Sequence, residues 1–419
     1  MRARNAGTAA DARRHLEAVL AIDPEQPMAR NMLGLEALAG GDATAAVEHF
    51  EWALRGDPVA PELCLNLAAA HRELDNSEGE KAAFEQALAI DQRFLPALLG
   101  LAQLHERLGE EGPATRRWSA VLMLAPQIEG ATRELAGPLA HARAYVERRR
   151  QNLADALDRA LAGELTQASV RDRRRVRAAA EVMLGRRSIY ANECHGLHYP
   201  FLPADEFFDR DHFPWLEKLE AATAAIRGEL EAILSDRDPG LAPYVEQPSG
   251  VPDNKWSPLD RSLDWGALHL WKDGQRIAEA CARAPRTAAL VERLPLCLIP
   301  GRAPAVFFSI LRAGKHIPPH TGVTNVRAIV HLPLIVPEGC TFRVGGETRP
   351  WVEGAAFVFD DTIEHEAINP TARDRAVLIL DVWNPYLSEA ERAMIRRIYE
   401  VSNAQRGAVT SASVPMRAD

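Results

Sequence analysis

Ala305-Val306-Phe307-Phe308-Ser309-Ile310-Leu311, followed by the turn residues Arg312-Ala313-Gly314, settles the architecture of the second half of this chain. The run is apolar and rich in β-branched and aromatic residues, and similar runs follow at 326–335, 340–344, 355–359 and 376–383. Between them lie Pro337-Glu338-Gly339, Gly345-Gly346 and Asn369-Pro370, whose fixed or permissive φ angles reverse the chain. Many short strands separated by turns predict an antiparallel sandwich or barrel. A jelly-roll-like barrel would also offer an open mouth that can hold a metal and a substrate.

Inside this stretch, His320-Thr321-Gly322 is followed 45 residues later by Glu364-His365-Glu366, and Arg375 stands ten residues beyond His365. An iron that activates O2 keeps open coordination positions, accepts imidazole readily, and usually adds a carboxylate to two histidines. That carboxylate commonly stands two residues after the first histidine, and here the position is Gly322. A chelating 2-oxoacid needs a cation for its far carboxylate, which a planar guanidinium holds through two parallel hydrogen bonds. Arg375 opens the apolar run Ala376-Val377-Leu378-Ile379-Leu380, where an unpaired charge is costly. Ser309 and His331 are candidates to complete such an anion pocket. A lone histidine is more often a core or surface residue than a ligand, so spacing alone leaves both readings open for His320 and His365.

The N-terminal third repeats. Asp23-Pro24, Asp57-Pro58, Asp91-Gln92 and Ala125-Pro126 fall at intervals of 34, as do Leu16, Phe50, Phe84 and Trp118. Leu20, Leu54, Leu88 and Leu122 give another register, and Gly34, Ala68 and Ala102 a register of small residues. A period of 34 means two helices per repeat. The small residue allows close helix approach, the large one fills the seam, and proline ends the second helix. This pattern resembles the tetratricopeptide repeat family over residues 11–126. The resemblance implies a concave surface for a peptide or protein partner; the plainer reading is packing or dimerisation.

With 419 residues, two or three domains are expected: repeats over 1–126, a helical linker over 127–189, a β-rich domain over 190–400 and a disordered tail over 401–419. A single helix is expected over 211–236 from its apolar spacing. Arginine runs at 148–150 and 171–175 are interleaved with acids and read as solvated helix faces. With a net charge of −9, general nucleic-acid binding is not expected. No stretch is long and apolar enough for a membrane span, and no signal peptide is read at the start. The five scattered cysteines show no CxxC pair, which points to a reduced, cytoplasmic protein without a disulfide framework or structural zinc.

The segment Pro319-His320-Thr321-Gly322-Val323-Thr324-Asn325-Val326-Arg327, then Val330-His331-Leu332, is similar to the aspartyl/asparaginyl β-hydroxylase family. So are Glu347-Thr348-Arg349-Pro350-Trp351-Val352-Glu353-Gly354, Phe359-Asp360-Asp361-Thr362-Ile363-Glu364-His365-Glu366 and Asp381-Val382-Trp383-Asn384-Pro385. The likeness spans about 190–400 and agrees with the preceding repeats. It implies an Fe(II)- and 2-oxoglutarate-dependent dioxygenase on a double-stranded β-helix (jelly-roll) fold, using O2 and releasing succinate and CO2. His320 and His365 match the iron ligands, and Gly322 matches the missing carboxylate. Arg375, with Ser309 and His331, matches the 2-oxoglutarate pocket, and Arg327 matches an arginine facing an acidic acceptor side chain. Asp361 would hold an iron-bound water, or be a turn residue. The family's second acceptor arginine is Ile329 here, and polar acceptor contacts are not clearly matched around Asp260-Arg261 and Ala267. The expected reaction is hydroxylation of the β-carbon of an aspartyl or asparaginyl residue in a peptide or protein. The alternatives are a free amino acid, carrier-bound intermediate or lipid acyl chain, or a non-catalytic repeat-based interaction protein.

Overall fold

The computed structural model describes residues 2–407, in two compact units divided after Gln167. The first is helical: α1 (Arg2–Ile22), α2 (Pro27–Ala39), α3 (Ala43–Gly56), α4 (Pro61–Glu73), α5 (Ser77–Ile90), α6 (Leu95–Arg107), α7 (Glu111–Leu124), α8 (Ala131–Glu134) and α9 (Ala136–Gln167). Helices α2, α4 and α6 begin 34 residues apart, and so do α3, α5 and α7. The starts are written locally. Pro27, Pro61 and Pro96 occupy first-turn positions, where a missing N–H costs nothing. Asp42 and Asn76 cap α3 and α5 by accepting from the amides of Ala45 and Gly79, both at 3.0 Å. Phe50, Phe84 and Trp118 are buried at the same place in successive repeats.

The helical unit runs past the expected boundary at 126. Leu139, Ala142, Tyr145 and Val146 of α9 join Trp118 and Val121 of α7 in one core cluster. The expected linker over 127–189 is therefore split. Its last helix, α10 (Val170–Met183), belongs to the other unit, where Arg174 donates to Glu347 at 2.8 Å and to the Phe207 carbonyl. Arg171 pairs with Asp209 at 2.9 Å, so part of this arginine run serves docking within the unit as well as solvation.

The second unit holds two antiparallel sheets. Its strands are β1 (Ala242–Pro243), β2 (Trp265–Lys272), β3 (Gln275–Arg276), β4 (Val306–Leu311), β5 (His316–His320), β6 (Arg327–Ile335), β7 (Thr341–Val344), β8 (Glu347–Pro350), β9 (Phe357–Phe359), β10 (His365–Ile368) and β11 (Arg375–Trp383). The larger sheet runs β1-β2-β4-β11-β6-β9, with β3 on β2, and the smaller runs β5-β10-β7-β8. From β4 to β11 the chain crosses repeatedly between the two sheets, in keeping with the antiparallel sandwich or barrel expected from the sequence. Strands β1, β2, β3, β5, β8 and β10 have no counterpart among the expected runs. Strand β2 is buried on both faces and does not alternate, while β5 carries two prolines and survives because it is an edge strand.

The period of two along each strand sorts the side chains. In β4, β6 and β11, Phe308, Ile310, Ala328, Val330, Leu332, Leu378 and Leu380 face α11 (Leu216–Ala221), α12 (Thr223–Ser235), α13 (Ala278–Arg283) and α14 (Pro285–Val291). The alternate residues Phe307, Leu311, Ile329, Val377 and Ile379 face the smaller sheet, against Ile317, Phe342, Val344 and Ala367. The helix expected over 211–236 starts only at Leu216, because Pro214 interrupts it, and breaks at Ala222. Residues 401–407 of the expected tail continue α15 (Glu389–Gly407), and the remainder lies outside the described residues.

Candidate active site

His320 ends β5 and His365 begins β10, and the two are direct partners across the antiparallel pair. Their ring centroids are 4.1 Å apart. His320 Nδ1 donates to the Pro318 carbonyl at 2.8 Å, and His365 Nδ1 donates to the Ile363 carbonyl at 3.0 Å. A carbonyl only accepts, so each bond places the proton on Nδ1 and leaves the Nε2 lone pair free for a ligand. Burial pushes the His365 pKa down to about 4, and burial together with His365 holds His320 well below the usual imidazole range. Both are thus neutral, as a metal ligand must be.

Gly322 has a steric reason to be glycine. A Cβ there would lie 2.2 Å from Asp361 Oδ2, and the Gly322 amide donates to the Asp361 carbonyl at 2.6 Å. The carboxylate absent from position 322 is replaced in space by one from the loop before His365. Asp361 is buried and its Oδ1 has no hydrogen-bond partner. Among the described residues no cluster of three His, Cys, Asp or Glu side chains has metal-holding geometry. The histidine pair offers two imidazole donors, so a metal held there would keep most of its coordination positions open.

Arg375, Ser309 and His331 come together on the inward faces of β11, β4 and β6. Arg375 is almost wholly buried. Its Nη1 donates to Ser309 Oγ at 3.4 Å, its Nε has no partner, and its guanidinium lies 4.4 Å from the Trp351 ring centre. Burial lowers its pKa to about 10. A buried guanidinium without a carboxylate partner is costly, which suits this position to an anion from outside the chain. His331 Nδ1 is also unpartnered, and burial beside Arg375 and His365 keeps this imidazole neutral. Trp265 Nε1 donates to Ser309 Oγ at 3.1 Å while its ring lies 6.3 Å from that of His320. Phe359 touches both sides, 4.9 Å from His331 and 5.2 Å from His365. Histidine pair and anion pocket thus share one aromatic wall.

Arg327 is placed differently from the other candidates. Its Nη1 donates to Asp381 Oδ2 at 3.0 Å and its Nη2 to Asp361 Oδ2 at 3.3 Å. Burial opposes its charge, yet the two carboxylates hold it charged more firmly than usual. Trp265, Trp256, Asp381 and Asn192 are site residues to which sequence reasoning assigns no role. Trp256 stands edge-on to His320 at 5.0 Å, and Asn192 donates to Asp360 Oδ2 at 2.7 Å and to Thr362 Oγ1 at 2.9 Å, on either side of Asp361. Asp381 was detectable as an acid inside an otherwise apolar strand.

A family profile described as Aspartyl/Asparaginyl beta-hydroxylase matches residues 220–385. The human aspartyl/asparaginyl beta-hydroxylase is 38% identical over 167 residues, 39% of this chain and 21% of that protein. The ornithine lipid ester-linked acyl 2-hydroxylase of Rhizobium tropici is 34% identical over 201 residues, 47% of this chain and 67% of that protein. Of solved structures, one of MamA is similar at 20% identity with a TM-score of 0.29, over 37% of this chain and 94% of that one. The match spans about a fifth of the length of the human relative and its mouse counterpart. Among the described residues no helix is long and apolar enough to cross a membrane. Through its second unit, the chain belongs to the aspartyl/asparaginyl beta-hydroxylase family.

Proposed function

We propose that this hydroxylase depends on Fe(II) and 2-oxoglutarate and acts on the β-carbon of an aspartyl or asparaginyl residue in a peptide or protein. The observation that carries the reading is the coexistence, along one aromatic wall, of two neutral histidines with free Nε2 atoms and a buried guanidinium lacking any carboxylate partner. When bound, iron with 2-oxoglutarate and O2 supplies the oxidation: one oxygen atom enters the acceptor C–H bond, the other enters succinate, and CO2 leaves.

The protein's share is placement. His320 and His365 would hold the metal, while Arg375 and Ser309 would receive the distal carboxylate of 2-oxoglutarate, with His331 beside them. Trp265, Trp351, Phe342 and Phe359 keep water from the pocket, which strengthens the arginine–carboxylate pair. The helix-pair repeats are proposed to present a peptide or protein partner, and a cytoplasmic location is part of the same proposal. A second reading keeps the chemistry and takes an uncharged acceptor such as an acyl chain. It is favoured by Ile329, which puts a buried apolar side chain two residues beyond Arg327.

Succinate release from 2-oxoglutarate under aerobic iron supply tests the reaction, and a product heavier by one oxygen identifies the acceptor. His320→Ala and His365→Ala should each abolish succinate formation, and full turnover by either would remove it from the metal. Arg375→Met should mainly raise the 2-oxoglutarate concentration needed for half-maximal turnover, by roughly tenfold or more for the loss of a charge-assisted pair. An unchanged requirement would take Arg375 out of the pocket.

A further inference from the structure

The family resemblance gives Arg327 to the acceptor, but its charge is already engaged on both sides. Asp381 is almost wholly buried, receives the Ala305 amide at 2.9 Å on Oδ2, and accepts Arg327 Nη1 on the same oxygen. Arg327 and Asp381 sit on the inward faces of neighbouring strands β6 and β11, so the pair is set by strand register. The other end of the guanidinium reaches Asp361. The Asp361 backbone is independently fixed, since Asn192 ties together the side chains of Asp360 and Thr362 on either side. Its carboxylate then fills the space that Gly322 leaves open, with Oδ1 unpartnered.

Resting on the proposed iron site, we infer that Arg327 is a positioning residue. Anchored by Asp381, it holds the Asp361 carboxylate in the gap that Gly322 leaves beside the histidine pair, where it would orient the surroundings of a metal bound by His320 and His365. One guanidinium between two carboxylates leaves this cluster with a net charge of −1. Both terminal nitrogens of Arg327 already donate to a carboxylate and its one unpartnered nitrogen, Nε, is buried, so an acidic acceptor side chain would compete with Asp381 or Asp361 at either terminal nitrogen. The next inward position on β6 is Ile329, so this face of the strand offers no cation free of a carboxylate.

The test needs no acceptor. The full-length protein is titrated with Co(II) alone, and binding is followed by visible absorption. An arginine reserved for substrate would leave this titration untouched. Arg327→Met leaves two buried carboxylates unopposed and risks misfolding, so the variant to read is Arg327→Met/Asp381→Asn, which preserves the cluster's net charge. Its Co(II) dissociation constant should rise about tenfold or more with a shifted spectrum, as for loss of a partner that orients a metal site. Arg327→Lys should recover part of the affinity. A folded double variant with wild-type affinity and spectrum overturns the inference and leaves the proposed reaction standing. Failure of the wild-type protein to bind Co(II) overturns both.

Discussion

At the scale of single residues, burial does most of the chemical tuning. His320 and His365 are held neutral because a charged imidazole would lie in an apolar wall of Trp256, Trp265, Phe342 and Phe359. Lowered folded-state values mean that this contribution to stability is complete above the ordinary pKa of 6.5 and is lost as pH falls below it, toward about 4 in the case of His365. Protons therefore compete with metal only in acid. Co(II) affinity should change little between pH 7 and pH 5.5, whereas two histidines of ordinary pKa would lose on the order of 100-fold over that range. A loss of that size in Co(II) titrations would mean that the rings are not desolvated. The histidines, Arg375, Ser309 and His331 were legible as residue types in a pattern. The pairing of Gly322 with Asp361 was not, because it joins residues 39 apart that only the fold brings together, with the Gly322 amide 2.6 Å from the Asp361 carbonyl.

At the scale of elements, the helix pairs were easier to read than the strands. A helix repeat puts the same residue at the same seam every 34 positions, and each cap is local. Strands as short as β10 are defined mainly by partners, and β5 reads as a proline turn until β10 is placed beside it. The glycines of the helix seams test the packing directly. A Cβ on Gly34 would meet Phe50 at 2.5 Å, and one on Gly100 would meet Phe84 at 2.2 Å, with both rings buried. Alanine gains about 1 kcal/mol of helix propensity over glycine. Overpacking against a fixed ring costs about 1–3 kcal/mol, so Gly34→Ala and Gly100→Ala should each come out net destabilising in urea unfolding. Stabilisation by both would mean that the phenylalanines move aside freely.

At the scale of the whole molecule, each unit has its own core: the clusters around Phe50 and Trp118 in one, and those around Phe308 and Phe342 in the other. Calorimetric unfolding should show two components. Co(II) with 2-oxoglutarate, each near 100 times its dissociation constant, should stabilise the unit holding His320, His365 and Arg375 by about 2.7 kcal/mol or more. Only that component should move, upward by roughly 5–10 °C for a unit of this size. Equal movement of both would mean that the cores do not melt separately.

Sequence was sufficient for whatever repeats along the chain or is carried by residue type. That covers the 34-residue helix pairs, the β-rich second half, the histidine pair and the arginine on an apolar strand. These follow from periods of 3.6 and 2 and from side-chain chemistry, which act between near neighbours. The end of the helical unit at Gln167, the strands β2 and β5, and the Asp381–Arg327–Asp361 chain depended on tertiary structure. Arg327 lies 34 residues from Asp361 and 54 from Asp381, and their contact exists only because strand order and register place three separate segments around one point.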